Sequence, residues 1–269
     1  MLKDITIGQY YTGRSILHRC DPRLKLVATI AYIVVLFVAA NPLGIVLSIL
    51  LLAALYRTAR IPGKMILRSL KPIVPLVLFT AVLNLFFVSG QGEPLVSFWI
   101  FHIYAEGVRQ AILIAVRVCA LIAGTSLLTY TTSPIVLTDA IENLLRPLNK
   151  VHFPVHELAM MMTIALRFIP TLIEETEKII SAQKARSADF DSGNLVQRAK
   201  AMIPILVPLF ISAFRRADEL ATAMECRLYR GDVGRTRMKQ LKIARVDLCA
   251  LGIFVLVFAA VIALGRFGL

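Results

Sequence analysis

The chain has 269 residues, a formal net charge of +13 and a mean hydropathy of +0.74, and 58% of its residues are hydrophobic. Soluble domains are only about half apolar, so this composition excludes an ordinary soluble domain and indicates a protein that lies in a bilayer. The cysteines are too widely spaced for a zinc motif and too few for a disulfide framework: Cys20, Cys119, Cys226 and Cys249.

The first twenty-five residues are polar and basic, and they lack the apolar core of a signal peptide. We therefore expect the N-terminus to stay on the cytoplasmic side of the membrane. The basic residues of this segment are Lys3, Arg14, Arg19, Arg23 and Lys25.

The first apolar stretch runs from Leu26 to Tyr56 and is interrupted only at Asn41-Pro42 and Gly44. The interruption leaves two pieces of about fifteen residues each, which is short beside the roughly 20 residues that a spanning helix needs. The pattern predicts a tight helical hairpin.

Three further spans are predicted at about residues 72–88, 107–131 and 246–264. Residues 57–71 contain five Lys or Arg, whereas residues 89–105 contain none. The positive-inside rule places the first of these loops in the cytoplasm and the second outside. Five crossings from a cytoplasmic N-terminus leave the C-terminus outside.

The segment 132–245 then faces the cytoplasm and holds most of the remaining positive charge. Ser133-Pro134 is a good helix start, because a capping hydroxyl precedes a proline in the first turn. Apolar residues follow at helical spacing and predict an amphipathic helix in the membrane plane: Leu137, Ile141, Leu144 and Leu148.

Two long helices are predicted next, each with a proline-containing apolar half followed by an amphipathic half. Arg186 lies 16 residues beyond Pro170, and Arg227 lies 19 residues beyond Pro208. At the usual helical rise these offsets are about 24 and 29 Å. Breaks follow at residues 189–193 and at Gly231, so each helix presents an arginine near its cytoplasmic tip.

These two arginines have a simple structural explanation, because a cation near a helix C-terminus gains about 0.3 to 1 kcal/mol from the macrodipole. Binding of anionic headgroups is a second explanation. It fits the later bases better than Arg186 and Arg227, which have acidic neighbours. Because small residues, Ala185 and Cys226, precede both arginines, docking of a partner through the planar guanidinium is the interpretation we favour. The later bases are Arg235, Arg237, Lys239, Lys242 and Arg245.

Arg117 lies inside a predicted span, where a charge is a functional candidate by default. Structural pairing with a neighbouring helix, or snorkelling, is the alternative. His152 and His156 are four residues apart, but Pro154 separates them and no H-E-x-x-H motif is present, so we predict no metal site.

Motifs for chemistry are otherwise lacking. The chain has no nucleotide-binding G-x4-G-K-[ST] motif and no local sequence suggesting a catalytic triad, so we predict no catalytic residues. A pI near 10 can indicate nucleic-acid binding, but here the bases line membrane-adjacent helices, so we expect no nucleic-acid partner.

The sequences "ELAMMMTIALRFIPTLIEETEKIISAQKARSADF" and "PILVPLFISAFRRADELATAMECRLYRG" resemble the transmembrane T subunit of energy-coupling factor (ECF) transporters, the EcfT/CbiQ family. "HRCDPRLKL", "TSPIVLTDAIENLLRPL" and "GRTR" are similar to the branch whose T subunit is shared among several vitamin-binding partners. The resemblance covers most of the chain.

The resemblance implies an ATP-driven importer in which two ABC-type ATPases, forming a heterodimer, bind the ATP and Mg. A membrane-embedded S component, which is exchangeable, captures the substrate. In the family, two coupling helices end in small-Arg-x motifs, usually Ala-Arg-Gly, whose arginine docks in a groove of an ATPase. Ser replaces the usual Gly in the first motif here, and Cys and Leu flank the arginine of the second. The matching motifs are Ala185-Arg186-Ser187 and Cys226-Arg227-Leu228.

Apolar residues of both long helices are the predicted contacts of the S component, because Met-rich surfaces repack easily against different partners. They are Met160, Met161, Met162, Pro170, Pro204, Leu206, Pro208, Leu209 and Phe210.

We thus expect an all-α, polytopic membrane protein with about five crossing helices and long amphipathic cytoplasmic coupling helices. Residues 1–131 hold the N-terminal segment and membrane helices, 132–245 the coupling helices, and 246–269 the last membrane helix. The expected function is that of a non-catalytic coupling subunit of a vitamin or micronutrient importer. The alternatives are a membrane-embedded lipid-modifying enzyme that uses Arg117 and the region of His152 and His156, or the T subunit of a dedicated cobalt or nickel importer.

Overall fold

Ten helices and one short strand pair occur in the part of the chain that the computed structural model describes. The helices are α1 (Ile16–Arg19), α2 (Pro22–Val38), α3 (Pro42–Ala59), α4 (Gly63–Leu70), α5 (Val74–Phe87), α6 (Ala105–Thr131), α7 (Pro134–Leu145), α8 (Val155–Ala185), α9 (Leu195–Cys226) and α10 (Arg245–Arg266). The structure describes residues 10–13, 15–39, 41–87, 96–98, 101–151, 153–188, 190, 194–231, 241 and 244–266.

The predicted hairpin is confirmed as α2 and α3, which are separated at the predicted break. Pro22 and Pro42 occupy the first turn of their helices, where a missing N–H costs nothing. The Asp21 carboxylate caps α2 by accepting a 2.9 Å hydrogen bond from the Arg23 backbone N–H.

The third span begins earlier than the predicted residue 72. Helix α4 begins at Gly63, and a 3₁₀ turn over Lys71–Ile73 joins it to α5. Pro72 has no N–H to donate, and the 3₁₀ turn accommodates it without ending the helical run. Leu148, predicted to continue the helix that begins at Pro134, lies instead in a second 3₁₀ helix, Arg146–Val151.

Six helical stretches of the described residues are long and apolar enough to cross a membrane. The prediction of a polytopic helical membrane protein is confirmed, with the addition of a small antiparallel hairpin of β1 (Val96–Phe98) and β2 (Phe101–Ile103). The six stretches are Pro42–Ala59, Gly63–Phe86, Ala105–Thr131, Val155–Ala185, Val196–Cys226 and Asp247–Gly265.

Helices α8 and α9 belong to that set by length and composition, although each carries seven charged residues. Charges are rare within spanning helices because burying them in hydrocarbon is costly. The assignment of α8 and α9 to a cytoplasm-facing segment of coupling helices therefore stays a prediction.

The described residues fall into two compact units, one within Gly8–Ala140 and Gln240–Leu269 and the other within Ile141–Lys239. The first unit holds the α2–α3 hairpin, α4, α5, α6 and α10. Its buried centre combines aromatic side chains with small residues of α6, which let the helices approach closely: Tyr32, Leu36, Leu52, Tyr56, Ala59, Ile61, Ala120, Ala123, Leu127 and Tyr130.

Hydrogen bonds fix the relative directions of three helices in this unit. The Lys25 ammonium donates to the Thr131 carbonyl, and the Arg117 guanidinium donates to the Ala39 carbonyl, so α6 runs antiparallel to α2. The Asp21 N–H donates to the Asp247 carboxylate, and the Asn41 amide donates to the Leu264 carbonyl, so α10 runs parallel to α2. These directions match the alternation expected of the five predicted crossings.

Gly124 makes room for the Tyr32 ring where α6 meets α2. A Cβ atom at position 124 would lie 2.5 Å from Cε1 of Tyr32, closer than real contacts allow. We expect Gly124→Ala to cost about 1 to 3 kcal/mol by overpacking, more than the roughly 1 kcal/mol that alanine gains in a helix. The thermal unfolding midpoint in detergent measures the net loss. Gly63→Ala, which meets nothing within 4 Å, is the control and should not lower the midpoint.

Candidate functional site

The candidate site consists of the two C-terminal tips of α8 and α9, which lie in the second unit. Helix α8 ends at Ala185 with Arg186 as its cap residue, and α9 ends at Cys226 with Arg227 next. Both small-Arg-x motifs thus lie across a helix end, with the small residue inside the helix.

The two tips have the same backbone hydrogen bonds. At the first, Ser187 N–H donates to the Lys184 carbonyl at 3.0 Å and Ala188 N–H donates to the Gln183 carbonyl at 3.1 Å. This pair of bonds is a Schellman motif, which satisfies carbonyls that a helix end leaves without partners.

The second tip repeats the pair. Leu228 N–H donates to the Glu225 carbonyl at 2.8 Å, and Tyr229 N–H donates to the Met224 carbonyl at 3.0 Å. Although the sequences differ, both arginines therefore occupy the same position of the same capping motif.

The residue after each arginine is left-handed, with φ of +65° at Ser187 and +55° at Leu228. Glycine adopts this conformation freely, whereas other L-residues are strained by about 1 to 2 kcal/mol. The geometry gives a reason for glycine at this position of a small-Arg-x motif, and it shows that the serine and leucine here keep the turn at a cost.

We expect Ser187→Gly and Leu228→Gly to stabilise their caps by about 1 kcal/mol each. The local readout is hydrogen exchange at the Ala188 and Tyr229 amides, which should slow about fivefold. Ala185→Gly is the matched control, because it places glycine at a helical position and should speed exchange. Unchanged hydrogen exchange in both cap variants would contradict the inference that the backbone is strained at Ser187 and Leu228.

Both guanidinium groups are exposed, and within the described residues neither has a hydrogen bond or ion pair. Leu228 is also exposed, at 75%, and so is the Cys226 thiol. The acidic residues that follow Arg186 in the sequence, Asp189 and Asp191, lie outside the described residues. Each tip therefore presents an exposed arginine without a partner in the described part of the chain, and the second tip adds the uncovered apolar side chain of Leu228.

Polar contacts hold α8 and α9 together between the tips. Glu175 on α8 accepts a hydrogen bond from the Ser212 hydroxyl and one from Arg216 Nη2, whose distance to Glu175 Oε2 is 2.5 Å. The Gln183 amide donates to the Pro204 carbonyl at 3.4 Å. Residues farther along α8 therefore meet residues earlier in α9, and the helices are antiparallel where they touch.

This antiparallel contact separates the two cap arginines. Arg186 lies three residues beyond Gln183, which touches Pro204, whereas Arg227 lies 23 residues beyond Pro204 on α9. At 1.5 Å per residue, about 35 Å of helix lie between that contact and Arg227. The tips are thus at opposite ends of one helix pair.

Comparison with known proteins identifies the family. Residues 13–239 match the family described as CbiQ, cobalt transport protein. The chain belongs to the EcfT/CbiQ family. It is 54% identical to the energy-coupling factor transporter transmembrane protein EcfT of Ruminiclostridium cellulolyticum, with 97% of each chain covered.

Two further relatives of the same name have a similar degree of sequence identity. The EcfT protein of Clostridium kluyveri is 54% identical over 93% of this chain and 94% of its own. The EcfT protein of Acidaminococcus fermentans is 50% identical over 100% of this chain and 99% of its own. The resemblance inferred from the sequence is confirmed, and the chain is a transmembrane component of the energy-coupling factor transporters.

The residues predicted to contact an S component are apolar and mostly uncovered in this EcfT/CbiQ chain. Met161 and Met162 on α8 are exposed, as are Leu206 and Phe210 on α9. Pro170 and Pro204 are exposed, whereas Met160, Pro208 and Leu209 are half-buried. Phe210 stacks with Phe214, one turn farther along α9, with ring centroids 6.5 Å apart.

Arg117 has a structural partner in the first unit. Its Nη2 donates a 2.7 Å hydrogen bond to the Ala39 carbonyl at the C-terminal end of α2. A cation is favourable at this end of a helix, where backbone carbonyls lack partners. The contact matches the structural-pairing alternative for this charge.

His156 bonds to an acidic neighbour: its Nδ1 lies 3.0 Å from Glu142 Oε1. His152 is outside the described residues. Among the described residues, no three His, Cys, Asp or Glu side chains are grouped so that they could hold a metal ion.

The sequence pattern did not single out Glu175, Ser212 and Arg216. Ser212 and Arg216 are four residues apart and therefore share one face of α9. A hydroxyl and a cation on one helix face could have indicated a polar contact. They do not identify Glu175 as the partner, because it lies 37 residues from Ser212 and 41 residues from Arg216 in the sequence.

Proposed function

We propose that this chain is the coupling subunit of an ATP-driven vitamin or micronutrient importer, with two ATPases bound at its two arginine caps. The observation that carries the proposal is the pair of identical, exposed Arg caps at opposite ends of one antiparallel helix pair. Two equivalent docking points favour two similar partners over a single partner.

The chemistry of the caps supports docking. Arginine presents a planar fork of donors that pairs with carboxylates and carbonyl edges, and an exposed arginine gains most when a partner's groove desolvates it. The two partners are ABC-type ATPases, forming a heterodimer, that bind ATP and Mg. This chain is non-catalytic and transmits their movement through α8 and α9.

The uncovered apolar faces of α8 and α9 are the proposed seat of one exchangeable, membrane-embedded S component. Flexible methionines adapt to partners of different shape. The chain lies in a bacterial cell membrane with its N-terminus in the cytoplasm, in keeping with the excess of Lys and Arg in residues 57–71 over residues 89–105.

The direct test is affinity purification of the tagged chain from its native membrane in mild detergent, followed by mass spectrometry. Two ATPases and one or more small apolar proteins are the expected companions. Recovery of the chain alone at every salt concentration would contradict the proposal. Copurification of several different S components would indicate the branch of the family whose T subunit is shared among vitamin-binding partners.

A dedicated cobalt or nickel importer is the second candidate, because the description of the matching family names cobalt transport. It differs from the first proposal in the partner rather than in this chain. A single S component that copurifies and binds a transition metal would favour it.

Cys226 provides a chemical test within the second motif, because its thiol is exposed. Burial, reinforced by the neighbouring Asp247 carboxylate, raises the pKa of the Cys20 thiol to about 11, so that thiol stays protonated and unreactive at neutral pH. We expect a water-soluble maleimide to label Cys226 in the free chain and to prevent docking of an ATPase at that tip.

Assembly with the ATPases should slow this labelling about tenfold or more, because side chains in an interface core are desolvated. Cys226→Ala is the control: it should bind ATPase normally and resist inactivation. Equal labelling rates in the free and assembled states would place the second motif outside the interface.

A further inference from the structure

The two arginine caps share a backbone geometry but differ in their flanking side chains. Small residues precede both arginines, and both arginines occupy the same position of the same Schellman motif. The left-handed residue that follows is Ser187 at the first tip and Leu228 at the second. Any preference of the two tips for different partners must therefore come from the flanking side chains.

Leu228 is an unfavourable residue at its position in the free chain. Its side chain is 75% exposed, although leucine is a residue type that burial stabilises. Its φ of +55° is one that glycine adopts freely and that a bulky residue rarely adopts. Backbone strain of this kind clusters at sites that hold ligands or partners. A partner that buries the leucine side chain would offset both costs.

The uncovered apolar face of α9 ends well before Leu228. Among the described residues of this helix, Phe214 is the last large hydrophobic residue that is exposed, and it lies fourteen residues before Leu228. At the helical rise this separation is about 20 Å. The exposed residues that flank Leu228 in the sequence are charged: Glu225, Arg227 and Arg230. Because charges are unfavourable in hydrocarbon, the partner of Leu228 is a soluble protein surface with an apolar pocket inside a polar rim.

We propose that Leu228 determines which ATPase docks at the second tip, by filling an apolar pocket beside the acceptors of Arg227. The inference rests on the proposed docking of two ATPases. These ATPases form a heterodimer and are not identical, whereas the two cap arginines are equivalent. One ATPase has the apolar pocket and the other lacks it, so the heterodimer docks in one orientation.

The flanks also differ in charge, since Lys184 precedes the first motif and Glu225 precedes the second. Both side chains are exposed, and exposed charges contribute little because water and salt screen them. Burial of a leucine side chain increases affinity about tenfold or more. Leu228 is therefore the larger of the two differences between the tips.

The test uses the assembled transporter and identifies the ATPase that lies at each tip. A photo-cross-linking residue replaces Ala182 at the first tip or Ala223 at the second. Both positions are exposed and lie four residues before the cap arginines. Mass spectrometry then identifies the cross-linked ATPase. In an otherwise wild-type chain each tip should yield one ATPase, with a preference of about tenfold or more.

Leu228→Gly should reduce this preference about tenfold, toward equal amounts of the two ATPases at each tip. The same variant should slow hydrogen exchange at the Tyr229 amide, because glycine relieves the left-handed strain. Cap stability and docking preference thus change in opposite directions, which a purely structural role of Leu228 does not allow. Leu228→Met keeps an apolar side chain and should keep the preference. Val151→Ala shortens another exposed apolar side chain outside both tips, and as the matched control it should keep the preference too.

An exchange of the two flanking residues tests the orientation directly. Ser187→Leu with Leu228→Ser should reverse the docking, so that each tip cross-links to the other ATPase. An unchanged preference in Leu228→Gly, or an unchanged orientation in the exchange variant, would overturn the proposal and leave docking at the arginines in place. A wild type that cross-links both ATPases equally at each tip would also overturn it. If neither tip cross-links to an ATPase, the proposed function itself fails, and this inference fails with it.

Discussion

Replacing both cap arginines with alanine should leave the chain inserted in the membrane but without its ATPases. Arg186 and Arg227 are exposed and lack partners in the described part of the chain, so their removal does not weaken the fold. If each is a docking anchor, its loss costs about 2 kcal/mol or more of binding. Because the tips are far apart, the two losses should add, weakening assembly about a thousandfold.

The measurement is copurification of the ATPases together with substrate uptake. Lys184→Ala with Arg230→Ala is the matched control, since it removes two exposed cations adjacent to the same tips. It should retain assembly and uptake. Normal uptake in the arginine double variant would refute the docking role.

Arginine-to-lysine variants separate docking from the simpler explanations. Lysine keeps the positive charge, so it serves equally well at a helix C-terminus or against lipid headgroups. It lacks the planar fork that pairs with two acceptors at once. Failure of Arg186→Lys with Arg227→Lys to assemble would therefore assign the role to guanidinium geometry, and full activity would assign it to charge.

The sequence located the two tips because local signals end both helices, but it could not give their shared geometry. Ser187 and Leu228 are left-handed, and neither residue type requires a positive φ, so the common cap is visible only in the backbone. In contrast, Asn41-Pro42 correctly predicted the break between α2 and α3, because proline restricts the backbone conformation of the residue before it.

Local sequence patterns could not predict contacts between residues that are far apart in the chain. The partner of Arg117 is 78 residues away, and the acceptor is a backbone carbonyl with no signature of its own. The start of the third span was misplaced for a different reason. The five Lys and Arg of residues 57–71 indicated a cytoplasmic loop, whereas Gly63–Leu70 is helical and continues into α5 through a 3₁₀ turn.

The contacts of Glu175 predict a different kind of failure from loss of the caps. Glu175 bonds to both Ser212 and Arg216, and these contacts lie between the two tips. If α8 and α9 transmit movement from one ATPase to the other and to the membrane, they must move as a unit. Breaking the contact should uncouple transport without removing either docking point.

We expect Glu175→Arg to lower uptake about tenfold or more, because it sets a like charge against Arg216 where an ion pair stood. The ATPases should still copurify, since Arg186 and Arg227 are unchanged. Adding Arg216→Glu restores opposite charges across the same helix contact and should recover much of the uptake.

Glu174→Arg is the matched control, because it makes the same charge change at the adjacent, exposed position of α8. It should leave uptake near the wild-type level. If Glu175→Arg and Glu174→Arg are equally impaired, the effect is one of surface charge. If Arg216→Glu fails to rescue Glu175→Arg although both variants insert and bind ATPase, the pair does not transmit the movement. Rescue with ATPase binding constant throughout would separate docking at the tips from transmission through the helix contact.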